Sequence, residues 1–177
     1  AADPDATQRF QYDMRRVFRY AKALKAQFVQ ILPGPVEGDT SIATLITNLR
    51  SVAQDTPQGQ TLLLGALPFA DGRFDYAASV EVIEAVNAPN LRLIFSTGLA
   101  QVMVKTLARA YLTLGATVGY VQLTDPPGKG TFEDQAGDMP ALFETLRGSG
   151  YDGFISGSYA PNGPTENTLT AWRDLIR

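Results

Sequence analysis

Apolar positions along this chain alternate between two rhythms. In FQYDMRRVFRYAKAL, Phe10, Met14, Val17, Phe18, Ala21 and Leu24 share one face at helical spacing, with Thr7 as the expected N-cap. FVQIL (28–32) is short, apolar and partly β-branched, and predicts a buried strand. A second helix is expected from Thr40 to Gln54, with Ile42, Leu45, Ile46 and Leu49 inward. TLLLGAL (61–67) predicts the next strand and PFADGRFD a loop. The helix expected over 75–86 stops at Asn87-Ala88-Pro89. LRLIF (91–95), VGYVQL (118–123) and GFISGSY (153–159) predict three further strands. Helices are expected over 99–114, closed by a left-handed Gly115, from Pro140 to near Gly148, and over 166–176.

A helix followed by repeated strand–helix units points to a parallel sheet with helical crossovers. The strands are continuous apolar runs, as burial on both faces requires. Either a doubly wound sheet or a (β/α) barrel fits this order. A length of 177 residues sets one domain as the expectation, with residues 1–7 an N-terminal extension.

Composition then narrows the chemistry. Hydrophobic residues make up 45% of the chain, enough for a core, and no apolar run reaches the length of a membrane helix. The 15 Lys and Arg against 18 Asp and Glu leave a net charge of −3, so nucleic acid is not an expected partner. The chain has no Cys and no His. That excludes disulfides, a Cys nucleophile, a zinc site with His or Cys ligands and a Ser-His-Asp triad. Catalysis would have to use Asp, Glu, Lys, Tyr or backbone groups. No Gly-rich dinucleotide fingerprint follows any strand, and GKGT (128–131) has Leu123 where a phosphate loop needs its leading Gly. The chain starts Ala-Ala-Asp-Pro without Met. The start fits a cleaved organellar transit peptide, and mitochondrial localisation is the expectation, held by analogy; otherwise the address is cytoplasmic.

Five stretches stand out together, NAPNLRLIF (87–95), LAQVM (99–103), YVQLTDPPGKG (120–130), ALFETLRGSGYDGFI (141–155) and SYAPNGPTENTL (158–169). They resemble hydroxypyruvate isomerase and its relatives in the xylose-isomerase-like TIM-barrel group. Their order and spacing agree in register from about residue 8 onward. The resemblance implies an α/β fold, an incomplete (β/α) TIM barrel of about five parallel strands that correspond to strands four to eight. It also implies a divalent metal held by oxygen ligands from the ends of four strands, used to move a proton and a hydroxyl between adjacent carbons. By that correspondence the Glu, Asp and Glu positions hold Gly65, Ser96 and Ser158, and only Gln122 is kept. The two family His positions hold Leu99 and Tyr120, and Lys129 stands where the family often has Arg. One neutral amide cannot replace three acids around a hard cation. Gly and Ser cannot titrate near neutral pH. No cofactor is therefore expected.

The remaining polar residues have plain readings beside the sharp ones. Gln122, Tyr120, Lys129 and Asp125 could form a remnant pocket. A barrel-interior amide, a core aromatic and solvated loop charges explain them more simply. Asp71, Glu133 and Asp138 read as loop acids and helix caps rather than a rebuilt cation site. Arg15, Arg16, Arg19, Lys22 and Lys25 crowd the polar side of the first helix, where a solvated face competes with an acidic-protein or anionic-lipid contact. The function expected is that of a non-catalytic, isomerase-derived accessory subunit held by other proteins of a stable complex. The alternatives are a hydroxy-acid or sugar binder, or residual isomerase, and a regulatory partner of an intact isomerase.

Overall fold

The computed structural model describes residues 1–103, 106–125, 138–158, 160 and 163–176. Two compact units divide it, residues 1–94 and residues 95–177. The five main strands lie side by side in the order 28–31, 61–64, 91–96, 118–124 and 154–158, each flanked by helices in sequence.

In the first unit, α1 (Thr7–Ala23) buries Met14, Phe18 and Ala21, one stripe at the spacing the pattern required. Thr7 is not its cap. A 3-10 turn, Pro4–Ala6, precedes the helix, and the Asp3 side chain accepts from Asp5 N–H at 2.9 Å. Thr7 lies inside the helix, and its hydroxyl accepts from the buried Asn48 Nδ2 at 3.2 Å. Asn48 also donates to Ala1 O at 2.8 Å, and Ala2 N–H donates to Pro33 O at 2.9 Å. Residues 1–7 are thus tied to Asn48 and Pro33, and Ala2 is fully buried.

β1 (Phe28–Ile31) and β2 (Thr61–Leu64) pair in parallel, Val29 opposite Leu62 and Ile31 opposite Leu64. β2 pairs in parallel with β5 (Leu91–Ser96), Leu62 opposite Leu91 and Leu64 opposite Leu93. α2 (Gly38–Asp55) sends Leu45, Leu49 and Val52 into the core, and α3 (Tyr76–Val86) sends Val82, Ile83 and Val86. Asp75 caps α3, its carboxylate accepting from Ala78 N–H at 3.1 Å, and Asn87 ends it at φ 53°, ψ 48°. The strand expected over 61–67 is interrupted at Gly65. Beyond it β3 (Leu67–Pro68) forms a small antiparallel hairpin with β4 (Phe74–Asp75), where the sequence pattern gave only a loop. Asp71-Gly72 is its turn, with Gly72 at φ 83° and Phe69 N–H donating to Arg73 O at 2.7 Å.

In the second unit, β6 (Val118–Thr124) and β7 (Phe154–Ser158) run parallel, Gln122 opposite Ser156. The single helix expected over 99–114 is two helices, α4 (Thr97–Met103) and α5 (Leu107–Leu114), with Thr106 extended at φ −143°, ψ 138°. Gly115 has positive φ, but with ψ −133° it opens a 3-10 turn instead of a left-handed cap. α6 (Met139–Gly148) starts with proline in its first turn, as expected, and buries Met139, Leu142, Phe143 and Leu146. α7 (Thr165–Ile176) closes the chain. Tyr111 anchors this core, edge-on to Phe95 and to Tyr151 at 6.1 Å each, with its hydroxyl 3.1 Å from Ser149 Oγ.

Candidate functional site

The residues singled out from the sequence fall where strands end. Gly65 immediately follows β2, Ser96 is the last residue of β5, and Ser158 is the last residue of β7. Gln122 is half-buried near the end of β6, and Asp125 directly follows that strand. This is the side of a parallel sheet on which α/β proteins place their chemistry.

In the first unit, Gly65 accepts from Ser79 Oγ through its carbonyl at 2.9 Å, and the same hydroxyl accepts from Leu67 N–H at 3.0 Å. A methyl group at Gly65 would meet Ile94 at an ordinary 3.8 Å, so the missing side chain is not forced by close packing. Asp71 bonds within its own turn, accepting from Arg73 N–H at 2.9 Å. Arg73 also pairs with Asp75 at 2.6 Å and lies over the Phe69 ring at 4.1 Å. Asp71 is therefore a turn residue, as the plainer reading held.

In the second unit, a hydroxyl cluster occupies the end of β5. Ser96 Oγ lies 2.8 Å from Thr124 Oγ1, which also accepts from Gly98 N–H at 2.9 Å. Thr97 Oγ1 accepts from Thr124 N–H at 3.0 Å and faces Thr124 O at 3.3 Å. Asp125 Oδ2 accepts from Ala160 N–H at 2.9 Å, joining the loops after β6 and β7. Among the described residues its Oδ1 is buried without a hydrogen-bond partner. Gly98 sits so close to Asp125 that a side chain there would strike the Asp125 carbonyl and Thr124 Oγ1. Thr97, Gly98 and Thr124 were not singled out from the sequence. The run Ser-Thr-Gly directly after a strand was the available signal, since hydroxyl residues and Gly favour tight strand-to-helix turns.

Tyr120 is half-buried on β6 and stacks on Phe154 of β7, ring centroids 6.4 Å apart and planes 7° from parallel. Lys129 and Glu133 lie outside the described residues. Asp138 directly precedes α6 and makes no side-chain cap. Arg15, Arg16, Arg19, Lys22 and Lys25 are all exposed along and just beyond α1.

Position by position, these groups do not fit the divalent metal implied by the resemblance. A hard dication is held by carboxylates. Gly65 offers no side chain, and Ser96 offers a neutral hydroxyl already engaged by Thr124. Among the described residues no three acids come together as a metal-holding group.

Comparison with known proteins places this arrangement. The profile of the xylose isomerase-like TIM barrel matches residues 1–176. The chain belongs to that family. Its five strands with helical crossovers are the fold class the family resemblance implied, an incomplete TIM barrel. It is 26% identical over 178 residues to 2-oxo-tetronate isomerase of Pectobacterium atrosepticum, covering 96% of this chain and 68% of that protein. It is 27% identical over 191 residues to hydroxypyruvate isomerase of Escherichia coli, covering 100% of this chain and 72% of that protein. A crystal structure of AP endonuclease, family 2 from Brucella melitensis superposes with a TM-score of 0.82 at 27% identity, covering 100% of this chain and 71% of that one. The chain thus spans about two thirds to three quarters of the length of these relatives.

Proposed function

We propose that this protein is a non-catalytic, isomerase-like accessory subunit whose site no longer supports metal-dependent isomerisation. The observation that carries the reading is the state of Ser96. Where the family resemblance implies an ionised Asp, a neutral hydroxyl is hydrogen-bonded to Thr124 at 2.8 Å. Thr124 is in turn fixed by Gly98 and Thr97. Isomerisation between adjacent carbons needs a base to take a proton and an acid to return it. Neither Gly65 nor Ser96 nor Ser158 can do so near neutral pH. An accessory role accounts for a chain that keeps the family's helices and strands while lacking these acids.

The test is a coupled assay of the interconversion of hydroxypyruvate and tartronate semialdehyde with added Mg²⁺ or Mn²⁺. Turnover indistinguishable from a heat-treated control is expected. Metal-stimulated turnover that disappears in Gln122→Ala would overturn the proposal.

A second reading rests on Asp125. Among the described residues its Oδ1 is buried without a donor, while Oδ2 accepts from Ala160 N–H. A buried anionic oxygen favours a donor, and a polyhydroxylated small molecule would supply one. A thermal shift with sugars or hydroxy-acids that vanishes in Asp125→Ala would favour this reading over a purely structural role.

A further inference from the structure

We propose that the outward face of α1 is a docking surface for an acidic helical segment of a partner protein. The inference deepens the accessory reading, on which it rests for the expectation that a protein partner exists. Its evidence is a segregation of charge. Arg9, Arg15, Arg16, Arg19, Lys22 and Lys25 are six of the chain's 15 basic residues, and Asp13 is the one acid among them. The rest of the chain therefore carries nine cations against 17 of the 18 acids. α1 is thus a basic segment in an otherwise acidic chain.

The face is free for contact. Met14, Phe18 and Ala21 turn inward, and the opposite side shows Arg9, Tyr12, Arg16, Arg19, Tyr20 and Ala23, all exposed. Tyr12 and Tyr20 are 60% and 62% exposed, too much for aromatic rings that serve the core. Arg9 pairs with Asp13 at 3.8 Å, and among the described residues Arg15, Arg16, Arg19, Lys22 and Lys25 make no ion pair. A helix C-terminus attracts cations, which accounts for Lys22 and Lys25. It does not account for Arg15, Arg16 and Arg19, which lie before the last turn and repel one another at spacings of three and four. An acidic neighbour turns that repulsion into attraction.

The occupant follows from the chemistry of the face. Interfacial helices lie on a membrane by their apolar side, and here that side is buried in the protein. Nucleic acid would meet the acidic remainder of the chain as repulsion. A protein contact is local, within a screening length of about 8 Å, and is governed by α1 alone. Tyr and Arg are the residues enriched at the centres of such contacts. Arg9, Tyr12, Arg16, Tyr20 and Ala23 follow one another at helical spacing over about 21 Å, with the small Ala23 leaving room for an approaching backbone. That length and spacing suit a helix with acids at every turn.

The probe is a labelled synthetic helical peptide with glutamates four residues apart and a Leu-Tyr stripe, followed by fluorescence anisotropy. Its lysine counterpart, phosphatidylserine vesicles and duplex DNA serve as competing ligands. Saturable binding of the glutamate peptide is expected, weakened at least about tenfold by Arg16→Glu with Arg19→Glu and by salt near about 0.5 M. Glu81→Lys, on the exposed side of α3, should leave affinity unchanged. Unaltered circular dichroism of the double variant confirms that it folds; should it not fold, Tyr12→Ala with Tyr20→Ala replaces it and is expected to weaken binding. Failure of the glutamate peptide to bind, equal binding by the variants, or a preference for vesicles or DNA overturns the proposal. So does a self-association, seen by sedimentation, that the charge reversals abolish while the peptide is ignored. The isomerase assay is independent of this readout, so a defeat of either proposal is recognisable on its own.

Discussion

Thr124 holds the end of β5 by accepting from Gly98 N–H and meeting the Ser96 hydroxyl, at 2.9 and 2.8 Å. Thr124→Val removes both bonds at once. Leaving a half-buried N–H and hydroxyl without that partner costs about 1–3 kcal/mol. Urea titration should show the loss as a lower midpoint at unchanged slope. Gly98→Ala acts by a different route. Its added methyl would lie 2.7 Å from Thr124 Oγ1 and closer still to the Asp125 backbone. Backbone cannot give way as a flexible side chain can, so the cost is expected to match or exceed that of Thr124→Val, about 3 kcal/mol. If Gly98→Ala proves as stable as the parent, the tight junction described at β5 is wrong. The Ser at 96 was legible in the sequence, because a resemblance marks the position. Its partners were not, since hydroxyl pairing across strands depends on register, which a single strand does not reveal.

Tyr151 adds a pH dependence. Burial, its largest influence, raises the phenol above its ordinary value of 10.0, and neighbouring Tyr111 adds to the rise. The hydroxyl donates to Phe154 O at 2.8 Å and must stay protonated to do so. A folded value above the unfolded one gives stability that is complete below about pH 10 and lost as pH climbs toward the raised folded value. Alkaline unfolding is therefore expected to begin near about pH 10, and Tyr151→Phe should shed part of that slope while losing the Phe154 bond at neutral pH. Thermal melts of both proteins across this range read the difference.

At the scale of elements, helix ends carried the largest departures from the sequence pattern. α1 closes with Ala26 N–H donating to Ala21 O and Lys25 N–H to Lys22 O, which places Lys25 at φ 54°. This is a Schellman closure in the position glycine normally fills. A Cβ in the left-handed region costs about 1–2 kcal/mol. Lys25→Gly relieves that cost and loses some to unfolded-state entropy, for a net gain of about 0.5–1 kcal/mol and a higher Tm. A lower Tm would show that the Lys25 side chain contributes more than its backbone costs. The split of α4 from α5 has a propensity explanation visible in the sequence. Thr106, directly before α5, is β-branched and extended, which suits a break in the helical run. The β3–β4 hairpin was signalled by Asp71-Gly72, but two-residue strands are too short for an alternating pattern to register.

For the molecule as a whole, strand order leaves β1 and β7 as the ends of the sheet. The main strands stood out in the sequence because burial on both faces writes a continuous apolar run; four were located to within a residue at each end, and β2 ends three residues before its expected limit. What lies beside an end strand is not written in the strand itself. β7 departs from the burial its pattern implied, with Phe154, Gly157 and Ser158 exposed. Phe154 is 55% exposed although it stacks on Tyr120. A large exposed aromatic on an end strand is a template for association. Covering the remaining area of such a ring, about 100 Å², is worth roughly 2.5 kcal/mol. The purified chain is accordingly expected to self-associate or to hold a partner along β7, and Phe154→Lys should reduce that association by a factor of about ten or more. Phe154→Leu is the control, because it gives up the stack on Tyr120 while keeping an apolar edge, and it should associate nearly as well as the parent. Sedimentation velocity over a range of concentrations distinguishes the cases. Equal association by the lysine variant would clear β7 of any role and leave the contact to β1 or to the outward face of α1.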